Sequence, residues 1–386
     1  MTEETGVIVI GGGYAGVLAA NRLTQRDDVA VTLVNPRPDF VERIRLHQLA
    51  GGSDDAVVGY REVLSERVRL VVGTVERIDA AHRTVRLATG DTLSYDYLVY
   101  AVGSGSAVPQ VPGAAEFAYP IGDLEEAHRL RAALHTAAAA PVTVVGAGPG
   151  GIETAAELAE TGRCVTLVCG GVLGPYLHPR GRRAVAKRLA RLGVTVLGPA
   201  VTAVTRETVE LGDGREVPSG VTIWTAGFGV PGLARASGLS TDALGRLRTD
   251  ATLTSVDDPR VVAAGDSAAP AGRPYRMSCQ AAGPLGAQAA DTVLSRIAGE
   301  RPVAVRLGFA GQCLSLGRRG GIFQFARRDD VAIGFHLGGR LGAKIKELVC
   351  AGTIRQLTRE AAEPGSLRWF KPGAKTVDQA ENHAEI

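Results

Sequence analysis

Two glycine-rich motifs with the same spacing are the strongest chemical signal in the sequence. Each has the form Gly-x-Gly-x-x-Gly and directly follows a short apolar run. In this pattern the first glycine permits a tight turn, the second lets the backbone approach a pyrophosphate, and the third lets a helix pack closely on a strand. Two copies predict two dinucleotides bound by one chain. The glycines are Gly11, Gly13 and Gly16 in the first motif and Gly146, Gly148 and Gly151 in the second.

The elements around each motif have the order that such loops need. Apolar, strand-like runs precede the two motifs, and a helical pattern begins inside or directly after each of them. A second apolar run follows each helix, so a β-loop-α-β unit is predicted twice. The first unit comprises residues 7–10, 14–25 and 29–34, and the second comprises residues 142–145, 151–161 and 164–169.

The expected dinucleotides are a flavin and a nicotinamide nucleotide, because hydride transfer between them needs both in one chain. We therefore expect FAD together with NADH or NADPH. Neither unit has the acidic residue that often follows the second strand and bonds a ribose hydroxyl. Asn35 stands there in the first unit and can still bond the ribose, whereas Cys169 stands there in the second. The choice between NADH and NADPH therefore stays open. Two alternatives exist for Arg180, Arg182 and Arg183: they pair with the 2′-phosphate of NADPH, or they form the solvated start of a helix.

Three further segments complete a resemblance to a known family. They are residues 97–103, which end in Ala-Val-Gly, residues 222–227, which read Thr-Ile-Trp-Thr-Ala-Gly, and residues 262–266, which end in Gly-Asp. With them the chain resembles the flavoproteins of the pyridine nucleotide–disulfide oxidoreductase superfamily, over about residues 5–340. Within that superfamily it is most similar to the branch of type II NADH dehydrogenases and apoptosis-inducing-factor-like proteins.

The resemblance implies a set of cofactor-binding positions. In the family, the Gly-Asp turn contacts the ribityl and pyrophosphate part of FAD, and Asp266 occupies that place. The residues expected to bind FAD or the nicotinamide nucleotide are Gly11, Gly13, Tyr14, Ala15, Gly16, Asn35, Arg45, Ala101, Gly103, Gly146, Gly148, Gly151, Gly227, Gly265 and Asp266.

Three residues are candidates for catalysis. In the resembling enzymes a glutamate like Glu153 faces the nicotinamide and the flavin, although an acid in the first helical turn is also favourable with the helix dipole. Gln280 matches the first glutamine of the family's Ala-Gln-x-Ala-x-Gln segment beside the flavin and quinone. Pro284 replaces the second glutamine, which puts a standard quinone pocket in doubt. His47 is a candidate acid–base group, with a structural or surface histidine as the alternative.

The predicted helix at residues 40–50 carries basic residues but no cysteine. Because the superfamily's disulfide reductases carry their redox cysteine pair on this helix, we expect electrons to leave the flavin without a dithiol relay. Arg43 and Arg45 could stabilise a reduced, anionic flavin or orient an acceptor. A solvated helix face explains both arginines equally well. The cysteines show no zinc-ligand spacing, so no metal is expected, and Cys164 and Cys169 are interpreted as structural thiols.

Charge and hydropathy exclude several other classes of protein. A net charge of +3 with scattered basic residues argues against nucleic-acid binding. No signal peptide or membrane span is recognisable, so a cytoplasmic location is expected. A basic amphipathic helix is predicted at residues 341–360. It could lie on the inner face of the membrane, pack on the chain's own sheet, or contribute to a homodimer.

The sequence therefore predicts an α/β fold with two Rossmann-like, glutathione-reductase-like domains and a small C-terminal α+β domain. The expected function is FAD-dependent hydride transfer from NAD(P)H and electron delivery to a quinone-like or other small acceptor. A tailoring oxidase or reductase of a specialised compound and an NAD(P)H-responsive redox sensor are the alternatives. The expected divisions are 1–115 with 240–305 for FAD, 116–239 for NAD(P)H, 306–372 for the C-terminal domain and 373–386 as a disordered tail.

Overall fold

The computed structural model describes residues 4–271, 275–369 and 371 of the chain. Its first part contains β1 (Thr5–Ile10), α1 (Tyr14–Leu23), β2 (Val29–Asn35), β3 (Asp39–Val41), a 3-10 turn (Arg43–Arg45), α2 (Leu46–Gly51), β4 (Val57–Gly59), α3 (Tyr60–Val63), β5 (Val68–Val72), β6 (Val75–Asp79), β7 (Thr84–Leu87), β8 (Thr92–Ser94), β9 (Tyr97–Tyr100) and β10 (Gly105–Ser106).

The middle part contains α4 (Ala114–Phe117), β11 (Ala118–Pro120), α5 (Leu124–Thr136), β12 (Val142–Val145), α6 (Pro149–Glu160), β13 (Val165–Val168), α7 (Pro179–Arg191), β14 (Thr195–Leu197), β15 (Val201–Val204), β16 (Thr208–Leu211), β17 (Glu216–Pro218), β18 (Val221–Trp224), β19 (Phe228–Gly229) and α8 (Leu233–Ala236). The last part contains β20 (Leu247–Thr249), β21 (Val261–Ala263), a second 3-10 turn (Gly265–Ser267), β22 (Ala268–Pro270), α9 (Cys279–Ile297), β23 (Gly311–Ser315), β24 (Gly321–Ala326), β25 (Ala332–Gly338) and α10 (Gly339–Ala362).

Two five-stranded parallel sheets form the frame of the molecule. The first has the strand order β21-β9-β1-β2-β5, and the second has the order β11-β18-β12-β13-β14. Helices cover both faces of such sheets, which explains why β12 and β18 are buried along their whole length. The predicted α/β class with two Rossmann-like units is confirmed.

The first and third glycines of each motif are required by the fold itself. Gly11 has φ +101°, and a Cβ on it would lie 2.3 Å from the Ala101 carbonyl oxygen. A Cβ on Gly16 would lie 1.8 Å from the Gly11 carbonyl oxygen, because α1 packs directly on the turn. The second motif repeats this geometry, with Gly146 at φ +122° and a Gly151 Cβ placed 2.0 Å from the Gly146 oxygen.

The C-terminal part is an antiparallel sheet, β23-β24-β25, covered by α10. Helix α10 also packs on α1, where Asn21 Nδ2 donates to the Leu357 carbonyl at 3.2 Å. The buried Arg22 joins the same helices through an ion pair of 3.0 Å with Glu360. Protein packing therefore accounts for the buried side of α10, while Leu341 and Leu348 remain exposed.

One local prediction was wrong. Residues 40–50 do not form one helix, because β3 pairs with β4 and buries Phe40 completely before the 3-10 turn and α2 begin. The predicted disordered tail, residues 373–386, lies outside the described residues. Among the described helices none is long and apolar enough to cross a membrane.

Candidate flavin and nicotinamide site

The first glycine loop is fixed by two side chains at the carboxyl edge of the first sheet. Asn35 Oδ1 accepts from the Gly12 N–H at 2.9 Å, and its Nδ2 donates to the Arg37 carbonyl at 2.9 Å. The Tyr60 hydroxyl donates to the Gly12 carbonyl at 2.8 Å. Asn35 thus holds the loop in shape, and its predicted contact with a ribose hydroxyl stays a prediction. No local pattern in the sequence pointed to Tyr60.

The second glycine of each motif leaves the space that a pyrophosphate needs. A Cβ added to Gly13 or to Gly148 would meet nothing within 4 Å. Gly13 is the N-cap residue of α1 and Gly148 is that of α6. No side chain caps either helix there. The first backbone N–H groups of both helices are therefore available to an anionic ligand. The chain fits two dinucleotides at these loops.

Asp266 lies beside the first loop and is held by neighbouring polar groups. The Ser104 hydroxyl donates to Asp266 Oδ2 at 2.7 Å, and Arg43 Nη1 lies 3.7 Å from the same oxygen. The turn depends on Gly103 and Gly265, which have φ values of +69° and +67°. Ala15 packs against this turn, since a Cβ on Gly265 would lie 2.8 Å from the Ala15 Cβ. The structure therefore brings these predicted FAD residues together.

A buried ion pair joins the second dinucleotide unit to the C-terminal helix. Glu153 on α6 lies 2.9 Å from Lys346 Nζ on α10, with both side chains at most 10% exposed. The Ser315 N–H donates to the same carboxylate at 2.8 Å. His47 Nδ1 lies 4.0 Å from the other carboxylate oxygen of Glu153. The structure thus brings together two predicted catalytic residues, Glu153 and His47, with Lys346, which the sequence analysis did not single out.

The protonation states of this cluster follow from burial and charge. Burial alone would raise the pKa of Glu153, but Lys346, His47 and the Ser315 N–H outweigh it and hold that pKa below its usual value. Burial alone would lower the pKa of Lys346, but the Glu153 charge raises it above its usual value. Burial lowers the pKa of His47 to about 4. At neutral pH the site therefore holds a charged pair beside a neutral imidazole.

Three cysteines lie around this pair and do not form a dithiol. All five cysteines of the chain are unpaired. Burial raises the pKa of Cys279 and raises the pKa values of Cys313 and Cys350 to about 11. Thiols with raised pKa values are weak nucleophiles because little thiolate is present. Electron transfer from the flavin without a dithiol relay stays a prediction.

The other predicted site residues have partners within the protein. Arg45 bonds Glu347 at 2.5 Å and Gln48 at 3.0 Å, so it connects the segment before α2 to α10. The Gln280 amide, oriented to satisfy both of its neighbours, bonds Gly311 at 2.9 Å and Ala310 at 3.2 Å. The cofactor and catalytic roles of Arg45 and Gln280 stay predictions.

The other cofactor-binding candidates lie near the two glycine loops or directly after strands of the two parallel sheets. Tyr14 begins α1, is buried and packs edge-on against Phe40, with ring centroids 5.1 Å apart. Ala101 follows β9 and contacts the Gly11 turn. Gly227 follows β18, at the edge of the second sheet, with φ +87°. Arg182 donates to the Leu177 carbonyl at 3.2 Å, so this arginine supports the start of α7 in the present structure.

A pH-dependent stability is expected from His47. Because its pKa falls from 6.5 to about 4 on folding, the unfolded chain binds a proton there that the folded protein excludes. The free energy of unfolding should therefore decrease by roughly 3 kcal/mol through this group as the pH falls from 6.5 towards 4. Urea unfolding of the protein and of His47→Gln should give curves that converge across that range. Parallel curves would contradict the burial of a neutral imidazole.

Two glycine loops, each at the start of a helix beside a parallel sheet, define a class of proteins that bind two dinucleotides. A family model described as "Pyridine nucleotide-disulphide oxidoreductase" matches residues 5–286, so the chain belongs to that family. It is 32% identical over 351 residues to an NADH dehydrogenase-like protein of Mycobacterium tuberculosis, covering 83% of this chain and 87% of that protein.

Further similarities agree with this membership. A type II NADH:quinone oxidoreductase of Mycobacterium tuberculosis is 30% identical, covering 77% of this chain and 73% of that protein. The solved sulfide:quinone oxidoreductase of Aquifex aeolicus superposes with a TM-score of 0.78 at 21% identity, covering 99% of this chain and 96% of that one. Plasmodium falciparum NDH2 superposes with a TM-score of 0.77 at 14% identity, covering 94% and 99%. These structures show the fold.

The expected class of enzyme is confirmed: the chain is an oxidoreductase. The expectation of FAD and a nicotinamide nucleotide agrees with the family and with the two open glycine cradles.

Proposed function

We propose that the chain is an FAD-dependent NAD(P)H:acceptor oxidoreductase that delivers electrons to a quinone-like small molecule. The observation that carries this proposal is the buried Glu153–Lys346 pair beside His47, on the helix that follows the second of two loops that fit dinucleotides. The relatives named as NADH dehydrogenase-like and NADH:quinone oxidoreductases support the choice of donor and acceptor.

The chain's residues divide the work between binding and positioning. The first loop and the Asp266 turn would hold FAD, and the second loop would hold NAD(P)H through the N-terminus of α6. FAD, when bound, supplies the hydride acceptance and the onward electron transfer. Glu153, fixed by Lys346 and by the Ser315 N–H, would orient the nicotinamide. In this proposal, residues 1–115 and 240–305 form the FAD-binding domain, and residues 116–239 form the NAD(P)H-binding domain.

The acceptor side combines a fixed positive charge with a rigid helix. The Lys346 ammonium is buried beside Glu153 and would stabilise negative charge that develops on a reduced acceptor. Gln280, at the first turn of α9, would contact the same region. Pro284 lies buried within α9 and provides no side-chain amide, so we expect fewer polar contacts to a quinone there.

Steady-state assays with several acceptors test the proposed function. With FAD-loaded protein and saturating NADH or NADPH, a water-soluble quinone should be reduced faster than O2, and the quinone should compete with a second quinone analogue. Reduction of O2 alone, with no quinone reduction, would overturn the proposed acceptor class. It would favour a tailoring or sensing role instead.

A peripheral contact with the membrane is the second part of this proposal. Leu341 and Leu348 are more than half exposed on α10, close in sequence to Arg340 and Lys344. Apolar side chains flanked by basic ones favour an anionic lipid surface. Sedimentation with anionic vesicles should carry the protein down, and Leu341→Ser with Leu348→Ser should weaken this binding. Equal sedimentation of both proteins would contradict a contact through α10.

A further inference from the structure

The proposed reaction needs a proton from the solvent. NAD(P)H gives up a hydride, which carries two electrons and one proton, whereas a quinone takes up two electrons and two protons. The balance is NAD(P)H + H⁺ + quinone → NAD(P)⁺ + quinol. The chain must therefore bring one proton per turnover to the region of Glu153, His47 and Lys346, whose side chains are buried. This inference rests on the proposed function and concerns only the half-reaction that reduces the acceptor.

The interface between α2 and α6 contains two buried polar atoms without a partner. His47 Nε2 on α2 and Glu157 Oε2 on α6 make no hydrogen bond within the part of the chain that the structure describes. Glu157 is only 2% exposed, and its stem lies against α2, since a Cβ on Gly51 would be 2.8 Å from Glu157 Cγ. Buried polar atoms of this kind require a partner, and a bound water is the usual one.

The surface reaches this interface through one hydroxyl. Ser53, an exposed residue just beyond α2, donates its hydroxyl to Glu157 Oε1 at 2.5 Å. Glu157 stands four residues after Glu153 on the same helix, so the two carboxyl groups lie on one face of α6. On α2, His47 is four residues before Gly51 and approaches Glu153 at 4.0 Å. The order from solvent inward is therefore Ser53, Glu157, His47 and Glu153.

We propose that Glu157 is the proton-entry residue of this enzyme, passing protons from the Ser53 surface through a bridging water to His47 and on to the Glu153 site. A neutral imidazole suits this step because it accepts a proton at Nε2 and releases one from Nδ1. The unpartnered Nε2 is the accepting atom, and Nδ1 is the atom that faces Glu153. The proton leaves the imidazole on the side of the charged pair and acceptor.

Burial and nearby charges raise the pKa of Glu157 above that of an ordinary glutamate. Burial raises the pKa of Glu157 above its usual value, while the Ser53 hydroxyl and the Arg318 charge oppose that shift. Glu160 and Glu153 on the same helix raise it further. A carboxyl group with a raised pKa transfers protons more effectively at neutral pH than an ordinary one. Around His47, the Glu153 charge raises the pKa of the imidazole, whereas the charges of Lys346, Arg318 and Arg45 lower it. Lys346 is paired with Glu153.

The test separates the two half-reactions of FAD-loaded Glu157→Gln. Reduction of the flavin by NAD(P)H takes no proton from solvent, so its rate should equal that of the unchanged protein. Reduction of the quinone should slow by about tenfold or more, with a larger solvent deuterium isotope effect and a loss of rate towards high pH. Glu157→Asp should restore part of the rate, because it keeps a titratable group.

Glu160→Gln is the matched control, because Glu160 lies on the same helix but pairs with Arg188 at 2.8 Å. It should leave the rate of quinone reduction and its solvent isotope effect unchanged, and it should move the pH profile only slightly to lower pH, because the Glu160 charge contributes to the raised pKa of Glu157. Equal rates of quinone reduction and equal isotope effects for the unchanged protein and Glu157→Gln would overturn the proton-entry role. Slow flavin reduction in the unchanged protein would instead contradict the proposed function, so the two failures are distinguishable.

Discussion

Replacing Gly148 by alanine should produce a folded, yellow protein that no longer binds NAD(P)H tightly. Gly148 has an ordinary extended conformation, with φ −73°, and a Cβ there would meet no protein atom within 4 Å. The added methyl group would instead occupy the space that the nucleotide's pyrophosphate needs. We expect the Kd for NAD(P)H to rise by about tenfold or more, which corresponds to about 1.4 kcal/mol. Equilibrium titration of the oxidised protein measures it.

Gly13→Ala is the matched variant in the first motif. Gly13 has φ −83°, and a Cβ on it would meet no protein atom within 4 Å, so the variant should again retain the fold. Here FAD content should fall while the circular dichroism of the polypeptide stays unchanged. Gly151→Ala should behave differently, because its Cβ would lie 2.0 Å from the Gly146 carbonyl and would destabilise the fold. If Gly13→Ala kept FAD and Gly148→Ala lost it, the assignment of the two loops would be reversed.

Replacing Lys346 by methionine should have the largest effect on stability. The change leaves Glu153 buried without its cation, which typically costs about 3–5 kcal/mol. Quinone reduction should also fall, on the order of a hundredfold, because a fixed charge beside the reacting groups is lost. The double variant Glu153→Gln with Lys346→Met should recover most of the stability, because no unpaired charge remains. Urea unfolding of the three proteins measures the effect.

The pH dependence of this pair has a defined sign. The lowered pKa of Glu153 means that its contribution is present above about pH 4.5 and is lost as the pH falls through the folded value. The raised pKa of Lys346 means that its contribution is present below about pH 10.5 and is lost only above that. The single variant should therefore be most destabilised relative to the unchanged protein between these limits. A constant difference from pH 3 to pH 11 would contradict the ion pair.

The elements that could be predicted from the sequence were those with a local pattern. The glycine spacing predicted both nucleotide units, because the third glycine of each motif packs on the carbonyl of the first one, five residues earlier, and this contact is local in the sequence. Helix α10 was predicted from the amphipathic pattern of residues 341–360. The helix predicted at residues 40–50 was wrong, because the pairing of β3 with β4 outweighed the helical pattern of this segment.

Most of the ion pairs and hydrogen bonds within the site join residues that are distant in the sequence. Lys346 meets Glu153 across 193 residues, and the Ser315 N–H does so across 162 residues. Tyr60 reaches Gly12 in the same way. The resemblance identified Glu153, but no local spacing indicates which cation will neutralise a buried carboxylate. The helix containing Lys346 was predicted as a basic amphipathic helix, and its pattern left membrane contact, packing on the sheet and contact with a second subunit open.

NAD(P)H should reduce a flavin that is bound by this chain. An anaerobic titration of the purified protein with NADH and, separately, with NADPH measures this reduction through the visible absorbance of the flavin. We expect complete bleaching by one equivalent of the preferred coenzyme. If neither coenzyme bleaches a fully loaded protein, the reductant must be a different substrate, and the second glycine loop does not bind a hydride donor.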